Sequence, residues 1–179
     1  MSDSFTVFET PIGMAAIAWN ERGVSAVQLP EPDPERARTR LRRRFARPAE
    51  AAPPPEVGQA IERITALLGG EPRDLSDVKL DLQRVAPFEQ RVYALTRMVA
   101  FGQTVSYGAL ARQLGDVHLA REVGQALARN PFPIVVPCHR VIAAHGKLGG
   151  FSARGGLSTK QRLLEIEQAN VAWQLPLDA

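Results

Sequence analysis

The chain has 179 residues, 45% of them hydrophobic, and a formal net charge of +3, which is enough for one or two small domains with cores of their own. Its one cysteine excludes an intramolecular disulfide and a multi-cysteine zinc site, and His118, His139 and His145 have no metal-ligand spacing with it, so neither metal nor cofactor is expected. No apolar stretch reaches the roughly 18 residues of a membrane span and Met1-Ser2-Asp3-Ser4 is no basic signal-peptide start, so the expected location is cytoplasmic, without a membrane partner, where a free thiol stays reduced.

Short β-like runs come first, Phe5 to Glu9, Met14 to Trp19 and Val24 to Leu29, broken at Pro11-Ile12-Gly13 and Asn20-Glu21-Arg22-Gly23. This pattern predicts a small antiparallel meander. Glu35 to Arg47 has helical composition, with Ala37, Leu41 and Phe45 on one face; its arginines read either as a solvated face or as a nucleic-acid contact. Ala49 to Pro55 predicts an irregular connection, Glu56 to Leu68 a helix ended by Gly69-Gly70, and Val78 to Leu82 a closing strand. The boundary then gives an N-terminal α/β domain over 1–83 and a C-terminal domain over 84–179.

Charge shifts across that boundary. Residues 1–83 carry 11 basic and 13 acidic groups, residues 84–162 carry 11 and 3, and residues 163–179 carry none and 3. The excess in the middle stretch suits encounter with a polyanion, although a solvated basic surface accounts for it as well. Here Pro87 opens a helix to about Ala100, with Val92, Leu95 and Val99 facing inward and the proline tolerated in the first turn. Ser106 is a suitable N-cap for a helix through Leu114, Gly115 a suitable C′ residue, and a second helix from Leu119 to Arg129 stops at Asn130-Pro131. Two short helices across a brief turn predict a helix-turn-helix. On the second, Ala120, Val123 and Leu127 share one stripe and Arg121, Gly124, Gln125 and Ala128 another. The second stripe, small apart from Arg121 and Gln125, lets a backbone approach DNA; packing against another helix is the competing reading.

The chemistry concentrates in Pro137-Cys138-His139-Arg140-Val141, fed by the apolar run Ile134-Val135-Val136. A thiolate is the nucleophile, and an unperturbed cysteine, with a pKa of about 8.5, is only slightly ionised at neutral pH. An imidazole that accepts the proton, oriented by a third group, makes such a sulfur reactive. A lone cysteine is also a common small hydrophobe of protein cores, and the residue by itself leaves both readings open.

Thr104-Val105-Ser106-Tyr107-Gly108, the run Ala120 to Leu127, Asn130-Pro131, Pro137 to Val141, Gly146 to Ser152 and Lys160 with Leu163 to Glu167 together resemble the O6-alkylguanine-DNA alkyltransferases, also called methylated-DNA-protein-cysteine methyltransferases. The resemblance covers roughly residues 84–168. It implies an α/β (α+β) fold: a small N-terminal antiparallel-sheet ribonuclease-H-like domain, here without the family's zinc cysteines, then a mainly α-helical domain with a winged helix-turn-helix. It implies direct DNA repair, in which O6-alkylguanine is flipped out of double-stranded DNA and its alkyl group moves irreversibly to Cys138, with O4-alkylthymine a second candidate lesion. A base inside the stack is out of reach of in-line attack, and extrusion costs only a few kcal/mol. The protein is then a single-turnover acceptor, expected to act as a monomer.

By the same resemblance His139 takes the thiol proton through a water, Glu167 orients the imidazole, and Asn130 bridges the helix-turn-helix to the active-site turn. Tyr107 crowds a phosphate and donates to guanine N3, main-chain groups near Cys138 and Val141 read the guanine edge, and the Ser152 N–H binds O6. Pro133 and Phe151 wall the alkyl pocket, and Lys160 belongs to the substrate-binding set. Arg121 takes the place of the flipped base, with Ser106, Ala120, Gly124, Gln125 and Ala128 completing the DNA-binding face. The chain departs from the family in a loop about two residues longer between Ser152 and Lys160, which leaves Glu165 as an alternative to Glu167, and in Phe151 and Glu122 where tyrosine and a small residue are common. Two other readings are a DNA lesion-binding helix-turn-helix protein without catalysis and a Cys138-His139 thiol hydrolase. The hydrolase is disfavoured because neighbours in an extended segment point to opposite faces.

Overall fold

Three strands form the meander: β1 (Ser4–Thr10), β2 (Gly13–Asn20) and β3 (Gly23–Glu31). Their antiparallel register sets Val7 opposite Ala16 and Ile17 opposite Val27. In this computed structural model, which describes residues 2–152 and 155–169, they belong to the first of two compact units, formed by residues 1–84 and 131–135; the second holds 85–130 and 136–179. Alternation along β2 sends Ala16 and Ala18 to one face, where they meet Phe5, Ala26 and the Ala37 and Leu41 side chains of α1 (Pro34–Arg42). Alanines there let α1 lie close to the sheet. α2 (Pro55–Leu68) buries Val57, Ala60, Ile64 and Leu67 and packs on β1.

Three expectations for this unit are corrected. α1 ends at Arg42 rather than Arg47, because Arg44 and Phe45 donate three residues back and tighten the chain out of the helix. Phe45 still packs against the α1 cluster. The stretch after it is not wholly irregular: β4 (Ala49–Glu50) joins the edge parallel to β1, giving the order β3-β2-β1-β4. Val78 to Leu82 makes no strand, only a bridge between Leu80 and Val24. Asp81 N–H closes that bridge on the Val24 carbonyl at 2.7 Å, while its carboxylate accepts from the Asn20 amide at 2.8 Å and the Gln83 N–H at 3.1 Å, a side-chain turn that ends the ladder. Residues 131–135 also belong to this unit: the Pro131 carbonyl accepts from Val27 N–H at 2.9 Å, and Phe132, Ile134 and Val135 are buried.

The second unit is mainly helical. α3 (Pro87–Arg97) starts at the proline and packs on α5 (Ala120–Ala128), with the Tyr93 hydroxyl donating 2.8 Å to the Ala126 carbonyl. Its buried face is Val92, Tyr93 and Thr96 rather than Val92, Leu95 and Val99, and it stops short of Ala100. The Val99 carbonyl instead accepts from Arg140 at 2.6 Å. α4 (Tyr107–Gln113) is capped by Ser106, whose hydroxyl accepts from Ala109 N–H at 3.0 Å, and exits through Gly115 at φ +110. A 3-10 turn at Val117–Leu119 then leads into α5, completing the helix-turn-helix. β5 (Val105–Ser106) pairs with β6 (Val141–Ile142) in parallel, and α6 (Leu157–Ile166) follows. Among the described residues no helix is long and apolar enough to cross a membrane.

Candidate active site

Pro137 sits at φ −78, ψ 66 and lets Cys138 N–H reach the Val136 carbonyl at 2.7 Å, an inverse γ-turn that places the cysteine at a sharp corner. Cys138, His139 and Arg140 then form a 3-10 turn. The segment is therefore not extended, and Cys138 and His139 are not forced to opposite faces as an extended segment would require. Hydrogen bonding separates the roles instead. Asn130, at the end of α5, donates 2.9 Å to the Val136 carbonyl and hydrogen-bonds the Cys138 sulfur. Burial pushes the thiol up, opposed by that bond, by the charge of Lys160 and by the main-chain N–H groups of Cys138 and His139. The resting sulfur is a thiol at neutral pH.

His139 is buried and its Nε2 lies 2.7 Å from a Glu167 carboxylate oxygen. Glu165 is exposed and accepts from Gln161. Burial would raise Glu167, yet hydrogen bonds and charge from His139 and Arg140 hold it down at about 2. An ionised carboxylate only accepts, so Nε2 carries the proton and Nδ1 keeps a free lone pair. Burial lowers His139, leaving the imidazole neutral and able to take a proton. Arg140, which the sequence reading passed over, grips Glu167 with Nε and Nη2, both at 2.9 Å, and Gly102 N–H adds a bond at 3.2 Å. The signal was present: an arginine one residue after the histidine in an apolar segment needs a buried acid.

Lys160 is fully buried and donates to the Val141 carbonyl at 2.5 Å, the Gly150 carbonyl at 3.3 Å and the Tyr107 hydroxyl at 3.4 Å. Tyr107 in turn donates 3.3 Å to Gly150. Its ring is clamped: a Cβ on Gly124 would lie 3.8 Å away, and one on Gly149, at φ +71, only 3.0 Å away.

Above the sulfur opens a cavity of about 680 Å³, lined by Cys138, by Tyr107, by Gly150, Phe151 and Ser152, and by the α5 residues Ala120, Arg121, Gly124, Gln125, Leu127 and Ala128. The small stripe of α5 thus borders open space rather than another helix, with Arg121 exposed on it. Ser152 ties the loop to α5 through its hydroxyl, 2.8 Å from the Ala128 carbonyl. Four of the expected substrate- and DNA-binding residues, Ser106, Pro133, Val141 and Lys160, stand apart from that lining. Ser106 is spent on capping, Pro133 is buried with the first unit, and the Val141 carbonyl already accepts from Lys160. Of the longer loop, Ala153 and Arg154 lie outside the described residues.

A family model for the DNA-binding domain of 6-O-methylguanine DNA methyltransferase matches residues 87–169. The methylated-DNA–protein-cysteine methyltransferase of Mycobacterium tuberculosis (strain H37Rv) is 35% identical over 173 residues, 97% of each chain. This chain belongs to the methylated-DNA–protein-cysteine methyltransferase family. The crystal structure of Mycobacterium tuberculosis OGT in complex with DNA is similar throughout, with a TM-score of 0.72 and 34% identity over 93% of this chain and 94% of that one. A Thermus thermophilus DNA base-flipping protein is 46% identical over 108 residues, 60% of this chain and 71% of its own. Within the family's DNA-binding domain, then, lie the corner cysteine, the His139-Glu167-Arg140 cluster, α4-α5 and the cavity between them.

Proposed function

We propose that this protein repairs double-stranded DNA by moving the alkyl group of a flipped O6-alkylguanine onto its own Cys138, once per molecule. The observation that carries the reading is the sole cysteine at the floor of a cavity bordered by the helix-turn-helix, next to a neutral imidazole held by an ionised carboxylate. His139 Nδ1 draws the thiol proton, directly or through a water, and the thiolate attacks the alkyl carbon in line. The carbon–O6 bond breaks, a carbon–sulfur bond forms, and the departing guanine anion gains a proton from the Tyr107 hydroxyl. That hydroxyl stays a donor because burial, with the Cys138 charge, raises it. Arg121 fills the space the base leaves, and the small α5 face lets the backbone approach.

The thioether product has no protein group able to cleave it and no second cysteine to pass the alkyl to. One molecule therefore repairs one lesion, acting as a monomer in the reducing cytoplasm. Binding to undamaged duplex is dominated by phosphate contacts, hence salt-sensitive and weakly sequence-selective.

The test is mass spectrometry after incubation with a duplex carrying one O6-methylguanine. One methyl on the peptide containing Cys138, saturating at one per molecule and absent from Cys138→Ser although that variant still binds the duplex, is the expected result. Binding without any methyl on the native protein would replace this reading with non-catalytic lesion binding.

A further inference from the structure

Lys160 carries a charge that nothing in the proposed chemistry has used. Its side chain is 0% exposed, and among the described residues no carboxylate forms an ion pair with it. On its own helix Glu165 bonds Gln161, and Glu167 is committed to His139, Arg140 and Gly102. What surrounds the ammonium is two carbonyls, the Tyr107 hydroxyl, and the rings of Tyr107 and Phe151 at 5.6 and 5.9 Å. A buried cation without an acid is costly and is ordinarily paired or neutralised. The titratable groups that feel its field are Cys138 and His139 on the 3-10 turn, and Tyr107 is in contact with it. Of these, Cys138 is the group that becomes an anion before the alkyl carbon is attacked; Tyr107 gives up its proton only as the guanine departs.

We propose that Lys160 is the buried counter-cation of the Cys138 thiolate, a positioning residue that lies beneath the cavity, holds Tyr107 and Gly150 by hydrogen bonds and stabilises the anionic sulfur through its charge. This revises its expected place among the groups that bind substrate, since it is absent from the cavity lining. The proposal rests on Cys138 being the alkyl acceptor. Burial lowers Lys160 to about 8, with Cys138 pulling the other way, so the ammonium persists at neutral pH while remaining sensitive to the state of the sulfur. Alkylation converts that sulfur to a neutral thioether and, once Tyr107 has regained its proton from solvent, leaves the lysine facing only dipoles.

The test needs no DNA. Because Cys138 is the only cysteine, its thiolate can be followed by the rate of carbamidomethylation with iodoacetamide across pH, read by mass spectrometry on the full chain. In Lys160→Met the midpoint should move upward by at least about one pH unit, with the rate at pH 7.5 falling about tenfold, since a close opposite charge shifts a pKa by about 1–3. A merely structural role moves the curve the other way: loosening the turn would expose the sulfur and bring its midpoint down toward that of free cysteine. An unchanged or lowered midpoint overturns the proposal.

A second measurement avoids the variant. The Lys160 side-chain NMR signal of the native protein should titrate at lower pH once Cys138 carries the neutral iodoacetamide adduct, and an unmoved titration overturns the proposal equally. If the O6-methylguanine duplex leaves native Cys138 unmodified, the repair reading falls while both titrations still judge Lys160. If the duplex methylates Cys138 and the titrations do not move, the counter-cation falls alone.

Discussion

In the first unit Arg38 meets Glu35 and Glu50 at 2.9 Å with side chains 27–75% exposed, whereas in the second His139 and Arg140 meet Glu167 at 2.7 and 2.9 Å with exposures of 1–7%. Contact lengths are the same, but the surroundings differ. Exposed pairs exchange water for a partner at little net gain. Buried ones give up hydration worth several kcal/mol per ion and recover it only when every hydrogen-bonding site is filled. Glu167 fills its sites with His139, Arg140 and Gly102. A chain selected for stability alone would place apolar side chains there, so the difference marks the second unit as the one whose charges serve chemistry.

The largest test of that difference is Glu167→Gln. It leaves Arg140 charged and buried without its anion, which should cost about 3–5 kcal/mol in urea unfolding. It also frees the His139 tautomer, so methyl transfer should fall by about 10²-fold or more, the usual range for a positioned base. Acid gives the same answer without mutation. Glu167 is held at about 2 against an ordinary 4.5, so its contribution is complete above pH 4.5 and is lost as pH falls toward 2. His139 is lowered from 6.5, so the unfolded chain takes up its proton first and stability begins to decline below pH 6.5. Stability that stayed flat from pH 7 to 3 would show that the cluster contributes nothing to the native state.

How much of this the sequence carried depends on the range of the interaction. The meander was legible because strand alternation and turn residues act over a few positions, and α2, α4 and α5 because caps and prolines punctuate them locally. The strand expected at Val78–Leu82 was not, because what ended it is a contact from Asp81 to Asn20, 61 residues away. The α3 face went wrong for the same reason: Tyr93 turns inward to reach Ala126, 33 residues on. At the site, spacing and resemblance together named Cys138, His139 and Glu167. The turn geometry at Cys138 and the depth of Lys160 are tertiary, and no local pattern announces them; Arg140 in its apolar segment signalled a buried acid, but not which one.

Within the second unit, Arg121→Ala separates the DNA face from the buried chemistry. Arg121 is exposed on the cavity lining and touches none of the Glu167 cluster. Methyl transfer from duplex should slow about tenfold, equivalent to about 1.4 kcal/mol of an extrusion cost of a few kcal/mol. Transfer from a free O6-alkylguanine base, which needs no flipping, should be unchanged. Equal loss on both substrates would place Arg121 in the chemistry and blur the division between face and cluster.

The smallest effect belongs to Arg38→Ala. Its guanidinium donates to Glu50 through Nε and Nη2 and to Glu35 through Nη1, which makes it the best-bonded surface arginine of the first unit among the described residues. Geometry alone would therefore rank it beside Arg140. Water competes for both acids, however, and Glu35 is 75% exposed, so removal should cost only about 0.2–1 kcal/mol and lessen further in high salt. The aliphatic stem of Arg38 is itself part-buried, at 27% exposure, and Arg38→Met, which keeps the stem and loses the charge, isolates the ionic share. If Arg38→Met destabilised the protein as much as Glu167→Gln, burial would not be what separates the two kinds of pair, and the ionic network of the first unit would have to be treated as structural in its own right.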